Sequence, residues 1–134
     1  KLAMSAADEG ALVRVDDAKL RQCVQNLLAN AFKYSPGGGD VEVSTVRRGD
    51  EVGVVVRDHG IGMTPEQKRR IFDRFYRAEP SGKLRGSGLG MCLVKEIMDI
   101  MGGRVEVESA LGEGSTCTLW LRVVTSPAQA GAER

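Results

Sequence analysis

Asn26-Leu-Leu-Ala-Asn30-Ala-Phe-Lys33-Tyr34 sets two amides one helical turn apart and closes with a lysine and a tyrosine. Downstream come Asp58-His-Gly60-Ile-Gly62, Phe72-Asp-Arg-Phe75 and Gly86-Ser-Gly88-Leu-Gly90. Each run alone is weak, and an Asp-x-Gly sequence after a strand is ordinarily a turn. Their chemistries are complementary. The Asn30 carbonyl suits Mg²⁺, a hard ion that keeps several waters and accepts few protein oxygens. The Asp58 carboxylate accepts a hydrogen bond from the exocyclic amine of adenine, which guanine, with a carbonyl there, cannot supply. Gly60 and Gly62 are expected to let the backbone approach the ring. Glycines 86, 88 and 90 open a helix, where free N–H groups and the helix dipole favour phosphate.

In this order the four runs resemble the N box, first glycine box, F box and second glycine box of the ATP-binding catalytic domain of sensor histidine kinases. That domain belongs to the superfamily that also holds DNA gyrase, the Hsp90 chaperones and MutL. The resemblance extends from about Val13 to Val124. It implies ATP and Mg²⁺ as cofactors, with Asn30 on the metal, Asn26 assisting through water, and Lys33 on phosphate as a point charge. It further implies that Tyr34 stacks on the adenine, and that Asp58, Gly60, Ile61, Gly62, Phe75, Arg77, Lys83, Arg85, Gly86, Ser87, Gly88, Leu89, Gly90 and Ser115 bind the nucleotide. In the family a small hydroxyl residue, here Ser115, supports the Asp through water. Cys117 stands where an aromatic is usual. His59 reads as a turn residue rather than a phosphoacceptor.

Gyrase, Hsp90 and MutL carry a Glu one turn before the metal-binding Asn, where it activates water. Here that residue is Asn26, which cannot accept a proton at neutral pH. The resemblance thus implies γ-phosphoryl transfer to a histidine on a separate dimerisation domain, with a response regulator downstream, rather than rapid hydrolysis. An ATP-gated interaction module and an anti-sigma-factor-type serine kinase remain as alternatives.

The chain has 134 residues, 42% hydrophobic, close to the commonest domain size. A net charge of +1 offers no basic field for nucleic acid. No apolar run approaches the roughly 18–20 residues of a membrane span, so no membrane contact is expected of this segment. The three cysteines lack CxxC spacing and one histidine has no partnered Cys pair, which argues for reduced core thiols, a cytoplasmic setting and no zinc site.

The elements that must position these residues follow from periodicity. A short strand, about Leu12 to Val15, precedes a helix of about Ala18 to Tyr34, capped by Asp16 or Asp17. Its expected core stripe is Leu20, Val24, Leu27, Leu28 and Ala31, with the amides bordering it. Val41/Val43/Thr45 and Val52/Val54/Val56 alternate around Arg48-Gly49-Asp50 as a hairpin. Thr64-Pro65-Glu66-Gln67 carries a capping box and starts a short helix expected to hold the F box. Arg77 to Ser87 reads as a mobile lid loop. Leu89, Leu93, Ile97 and Met101 mark a helix ending at Gly102-Gly103, and Arg104 to Ser109 with Ser115 to Val124 form a second hairpin. The expected fold is an α/β (α+β) two-layer sandwich: a mixed, mostly antiparallel sheet of about five strands covered on one face by three helices. Residues 1–124 form the domain and 125–134 a disordered tail or linker.

Overall fold

The computed structural model describes residues 2–5, 12–13, 16–33, 35, 39–73 and 90–124. In chain order these form β1 (Leu2–Ser5), β2 (Leu12–Val13), α1 (Asp17–Lys33), β3 (Val41–Arg48), β4 (Glu51–Asp58), α2 (Pro65–Arg70), α3 (Gly90–Ile100), β5 (Arg104–Ala110) and β6 (Gly114–Val124).

Four long antiparallel strands carry the sheet. β3 pairs with β4, β4 with β6, and β6 with β5. Two short strands complete it: β2 adds to the far end of β6, and β1 runs parallel to β3 with Leu2 opposite Val41. The sheet thus has six described strands rather than about five. The extra one is β1, four residues long and paired with a strand remote in sequence, so no local alternation announces it.

Valines give the sheet one buried face. Val41, Val43 and Val56 lie with Leu119 and Leu121 in a core that also takes Cys23, Leu27 and Ala31 from α1 and Met91, Val94, Ile97 and Met98 from α3. Burying an aliphatic side chain stabilises by roughly 1.5–3 kcal/mol, which holds the helices on this face. The α1 stripe is turned toward the amides: Cys23 is fully buried, while Leu20, Val24 and Leu28 only pack against the core. A thiol acts as a small hydrophobe, and that moves the stripe. On α3, Leu89 lies outside the described residues and Leu93 and Met101 are partly buried. The expected four-residue repeat drifts by about 40° per step, so Met91, Val94 and Met98, spaced three and four apart, track the core more closely.

The helix ends are closed by local bonds. Asp16 Oδ1 accepts from the Lys19 N–H at 3.1 Å, which makes Asp16 the cap of α1. Thr64 and Gln67 form a reciprocal capping box, at 3.1 and 2.8 Å. At the end of α3 the Gly103 N–H donates to Met98 O at 2.9 Å and that of Gly102 to Asp99 O at 3.2 Å, the paired pattern of a Schellman motif. α2 stops at Arg70, before the F box it was expected to carry; Phe72 and Asp73 sit in the turn that follows.

The sheet's other face holds Trp120, only 2% exposed. Its ring lies opposite Gly53, where a Cβ would come within 3.0 Å of it. The guanidinium carbons of Arg48 and Arg104 stand 4.4 and 5.1 Å from the ring centroid. Its indole N–H donates to Glu106 Oε1 at 2.9 Å.

Candidate nucleotide site

A cleft with about 390 Å³ of empty space, open solvent at its mouth included, lies between the helical layer and the ends of β4, β5 and β6. Asn30 and Ala31 face it from the last turns of α1, Met91 from the first turn of α3, and Asp58 and Ser115 from the paired ends of β4 and β6. Its wall is mainly aliphatic and sulfur-bearing: Leu27, Val56, Met63, Ile71, Val107 and Cys117 complete it.

Asp58 is 6% exposed. Oδ1 accepts the Gly60 N–H at 3.0 Å and the Ser115 N–H at 3.2 Å. Oδ2 has no hydrogen bond with a described residue. Burial raises the carboxyl above its ordinary value; the two N–H bonds and nearby His59 pull it down, and burial prevails. One oxygen is thus fixed by the backbone and the other is left as an acceptor. Cys117, two residues along β6 from Ser115, has its thiol pushed up to about 12, first by burial and then by the charge of Asp58. It is therefore a neutral, apolar part of the wall at physiological pH.

Asn26 and Asn30 are both half-buried and make no side-chain hydrogen bond with a described residue. An uncommitted carbonyl beside a cleft fits the needs of a hard cation held mainly by phosphate oxygens. Among the described residues no group of three or more His, Cys, Asp or Glu side chains is placed to hold a metal ion. Lys33 is half-buried at the end of the same helix, and Gly90 opens α3.

The first glycine box packs against protein. Gly62 has φ +70° and a Cβ there would lie 1.9 Å from Ala110 O, so its backbone is pressed against the β5–β6 turn. The Ile61 carbonyl accepts the Gly112 N–H at 2.9 Å, tying the box to that turn, while the Ile61 side chain is 44% exposed. This accounts for Gly62 by packing against protein, where the sequence pointed to the ring. Ser115 likewise reaches Asp58 through its own N–H, and its hydroxyl lies 2.7 Å from that of Ser109. His59 Nε2 pairs with Glu42 Oε1 at 3.0 Å on the exposed side of the strand ends.

Tyr34, Phe75, Arg77, Lys83, Arg85, Gly86, Ser87, Gly88 and Leu89 lie outside the described residues. The sequence reading missed Met63, Ile71, Met91 and Ser109. Met63 directly follows the glycine box and Met91 the second one, a position next to a motif being the only signal available.

A buried carboxylate at the end of a central strand, a glycine turn beside it and amides on the covering helix define a nucleotide-binding α+β sandwich. Residues 15–125 match the family described as histidine kinase-, DNA gyrase B-, and HSP90-like ATPase, and the chain belongs to that family. Its relatives include the sensor histidine kinase WalK of Bacillus subtilis, 37% identical over 118 residues, covering 85% of this chain and 19% of the relative. The sensor-like histidine kinase SenX3 of Mycobacterium tuberculosis is 42% identical over 108 residues, covering 79% and 26%. The chain therefore spans a minor part of these relatives. Among solved structures, the mycobacterial sensor histidine kinase MprB superposes with TM-score 0.77 at 28% identity, covering 94% of this chain and 83% of that one. Full-length ShkA in complex with AMPPNP superposes with TM-score 0.79 at 27% identity, covering 95% and 27%. The chain thus has the sequence and fold of a histidine kinase catalytic domain.

Proposed function

We propose that this domain binds Mg-ATP and donates the γ-phosphoryl group to a histidine carried by a separate dimerisation domain of the same kinase. The observation that carries this is Asp58, whose Oδ1 is held by two backbone N–H groups while Oδ2 is left to accept from the adenine amine. Asn30 holds the metal, with Asn26 assisting through a water. When bound, Mg²⁺ neutralises charge on the phosphates. Lys33, Lys83 and Arg85 add positive charge, and the N–H groups of the 86–90 loop cradle phosphate. Tyr34 stacks on the base.

The domain's part in the reaction is positioning. The imidazole nitrogen of the acceptor attacks the γ-phosphorus, an N–P bond forms, and the bond to the bridging β–γ oxygen breaks with ADP leaving. The imidazole is its own nucleophile, so the domain supplies no base, in keeping with an amide at position 26. AMPPNP in the related ShkA complex supports a triphosphate in this fold. A response regulator is the downstream partner, and cytoplasmic ATP sets the compartment. Among the described residues no helix is long and apolar enough to cross a membrane.

The test is transfer of label from γ-labelled ATP to the dimerisation domain of the parent kinase. Acid-labile, base-stable phosphate on its histidine is expected. Acid-stable phosphate on serine, or binding without any transfer, would overturn the reading.

A further inference from the structure

Ser109 does not line the cleft, yet it decides what the cleft presents. Its Oγ donates to the Gly114 carbonyl at 3.1 Å. A carbonyl only accepts, so the single hydroxyl proton of Ser109 is committed there. The Ser109 and Ser115 hydroxyls are 2.7 Å apart, and the two contacts of Ser109 are satisfied together only when it donates to Gly114 and Ser115 donates to it. The order is therefore Ser115 O–H to Ser109 O–H to Gly114 C=O. The proton of Ser115 points away from the cleft, and its lone pairs are what remain for a ligand.

Asp58 Oδ2 and Ser115 Oγ then form a face of acceptors only, on two strand ends joined by the Ser115 N–H to Asp58 Oδ1 bond. An exocyclic amine carries two hydrogens and suits such a face, directly or through a water. A carbonyl oxygen in the same place meets lone pairs with no proton to accept. Were Ser115 free to rotate, it could donate to that carbonyl, and discrimination would weaken.

We propose that Ser109 is a positioning residue for base selection: it locks the Ser115 hydroxyl as an acceptor and so favours 6-amino over 6-oxo purine nucleotides. This rests on the reading of the cleft as an adenine pocket.

The test measures binding of ATP and of ITP, which differs at the 6-substituent and N1, to the parent and to three variants. Parent protein should prefer ATP. Ser109→Ala should lower the ATP-to-ITP affinity ratio by about three- to tenfold, the range of one neutral hydrogen bond, mainly through tighter ITP binding. Ser109→Cys, a weak donor of similar shape, should shift the ratio the same way and serves if the Ala variant does not fold. Ser109→Thr keeps the hydroxyl and should restore the parent ratio. A parent that prefers ATP while both Ser109→Ala and Ser109→Cys keep its ratio, or lose ATP and ITP equally, overturns the role of Ser109 alone. A parent with no preference overturns the adenine pocket itself.

Discussion

The Ser115 N–H donates to Asp58 Oδ1 at 3.2 Å across 57 residues of sequence, and the two stand opposite each other at the joined ends of β6 and β4. The bond makes the carboxylate part of the sheet. One oxygen finishes the hydrogen-bonding of a strand end, and the other is available to a ligand.

Asp58→Asn should weaken ATP binding by about 1.5–3 kcal/mol, the worth of a charge-assisted hydrogen bond, as read by calorimetry. Unchanged affinity would remove Asp58 from base recognition. Stability should move the other way. The folded carboxyl is raised above 3.8, so the folded state binds a proton at higher pH than the unfolded chain, and ionisation opposes folding. That cost is complete above the folded value and gone below 3.8. The variant should melt no lower than the parent at neutral pH, and the parent should gain on it as pH falls toward 3.8.

Asn30→Ala should abolish phosphotransfer and the Mg²⁺ dependence of nucleotide binding while shifting the melting temperature little. The side chain is half-buried and has no hydrogen bond with a described residue, so its removal leaves no orphaned partner. Normal transfer by a folded Asn30→Ala protein would refute its metal role.

Gly62→Ala and Gly112→Ala separate steric pressure from backbone strain. Both glycines have positive φ, +70° and +80°, but a Cβ at Gly112 meets nothing within 4 Å whereas one at Gly62 strikes Ala110. Urea titration should give about 1–2 kcal/mol for Gly112→Ala, the cost of a left-handed backbone, and clearly more for Gly62→Ala. Equal losses would show that the glycine box is not pressed on the β5–β6 turn.

With its pKa near 12, the Cys117 thiol should resist alkylation at about pH 8, because thiolate is the reactive form. Cys23, fully buried, should resist as well, and half-buried Cys92 should be modified first. Mass spectrometry of peptides after brief iodoacetamide treatment reads the order. Rapid labelling of Cys117 in folded protein would contradict its place in the wall.

What the sequence disclosed was what local rules control. The Thr64–Gln67 capping box, both long hairpins and the cap at Asp16 depend on residues within a few positions of each other, and their patterns are visible in the chain. β1 was hidden because its partner β3 lies far along the chain and pairs parallel. Cys23 is expected as a core thiol but stands outside the expected α1 stripe, because that stripe is read from Leu, Val and Ala alone. Asp58 and Asn30, which their chemistry singles out in the sequence, both line the cleft. The hydroxyl order through Ser109 was not legible, since cross-strand register decides that residues 109 and 115 meet, and no spacing rule encodes it.

Trp120 is the sole tryptophan, and it lies on the sheet face away from the cleft, with two arginine guanidinium groups over its ring. The molecule therefore carries an intrinsic fluorophore that reports on the integrity of the sheet and is shielded by the sheet itself from whatever occupies the cleft. Emission and ligand occupancy are separate optical channels. A variant whose nucleotide signal vanishes while its tryptophan spectrum stays blue-shifted has lost its ligand and kept its fold, and one cuvette distinguishes the two.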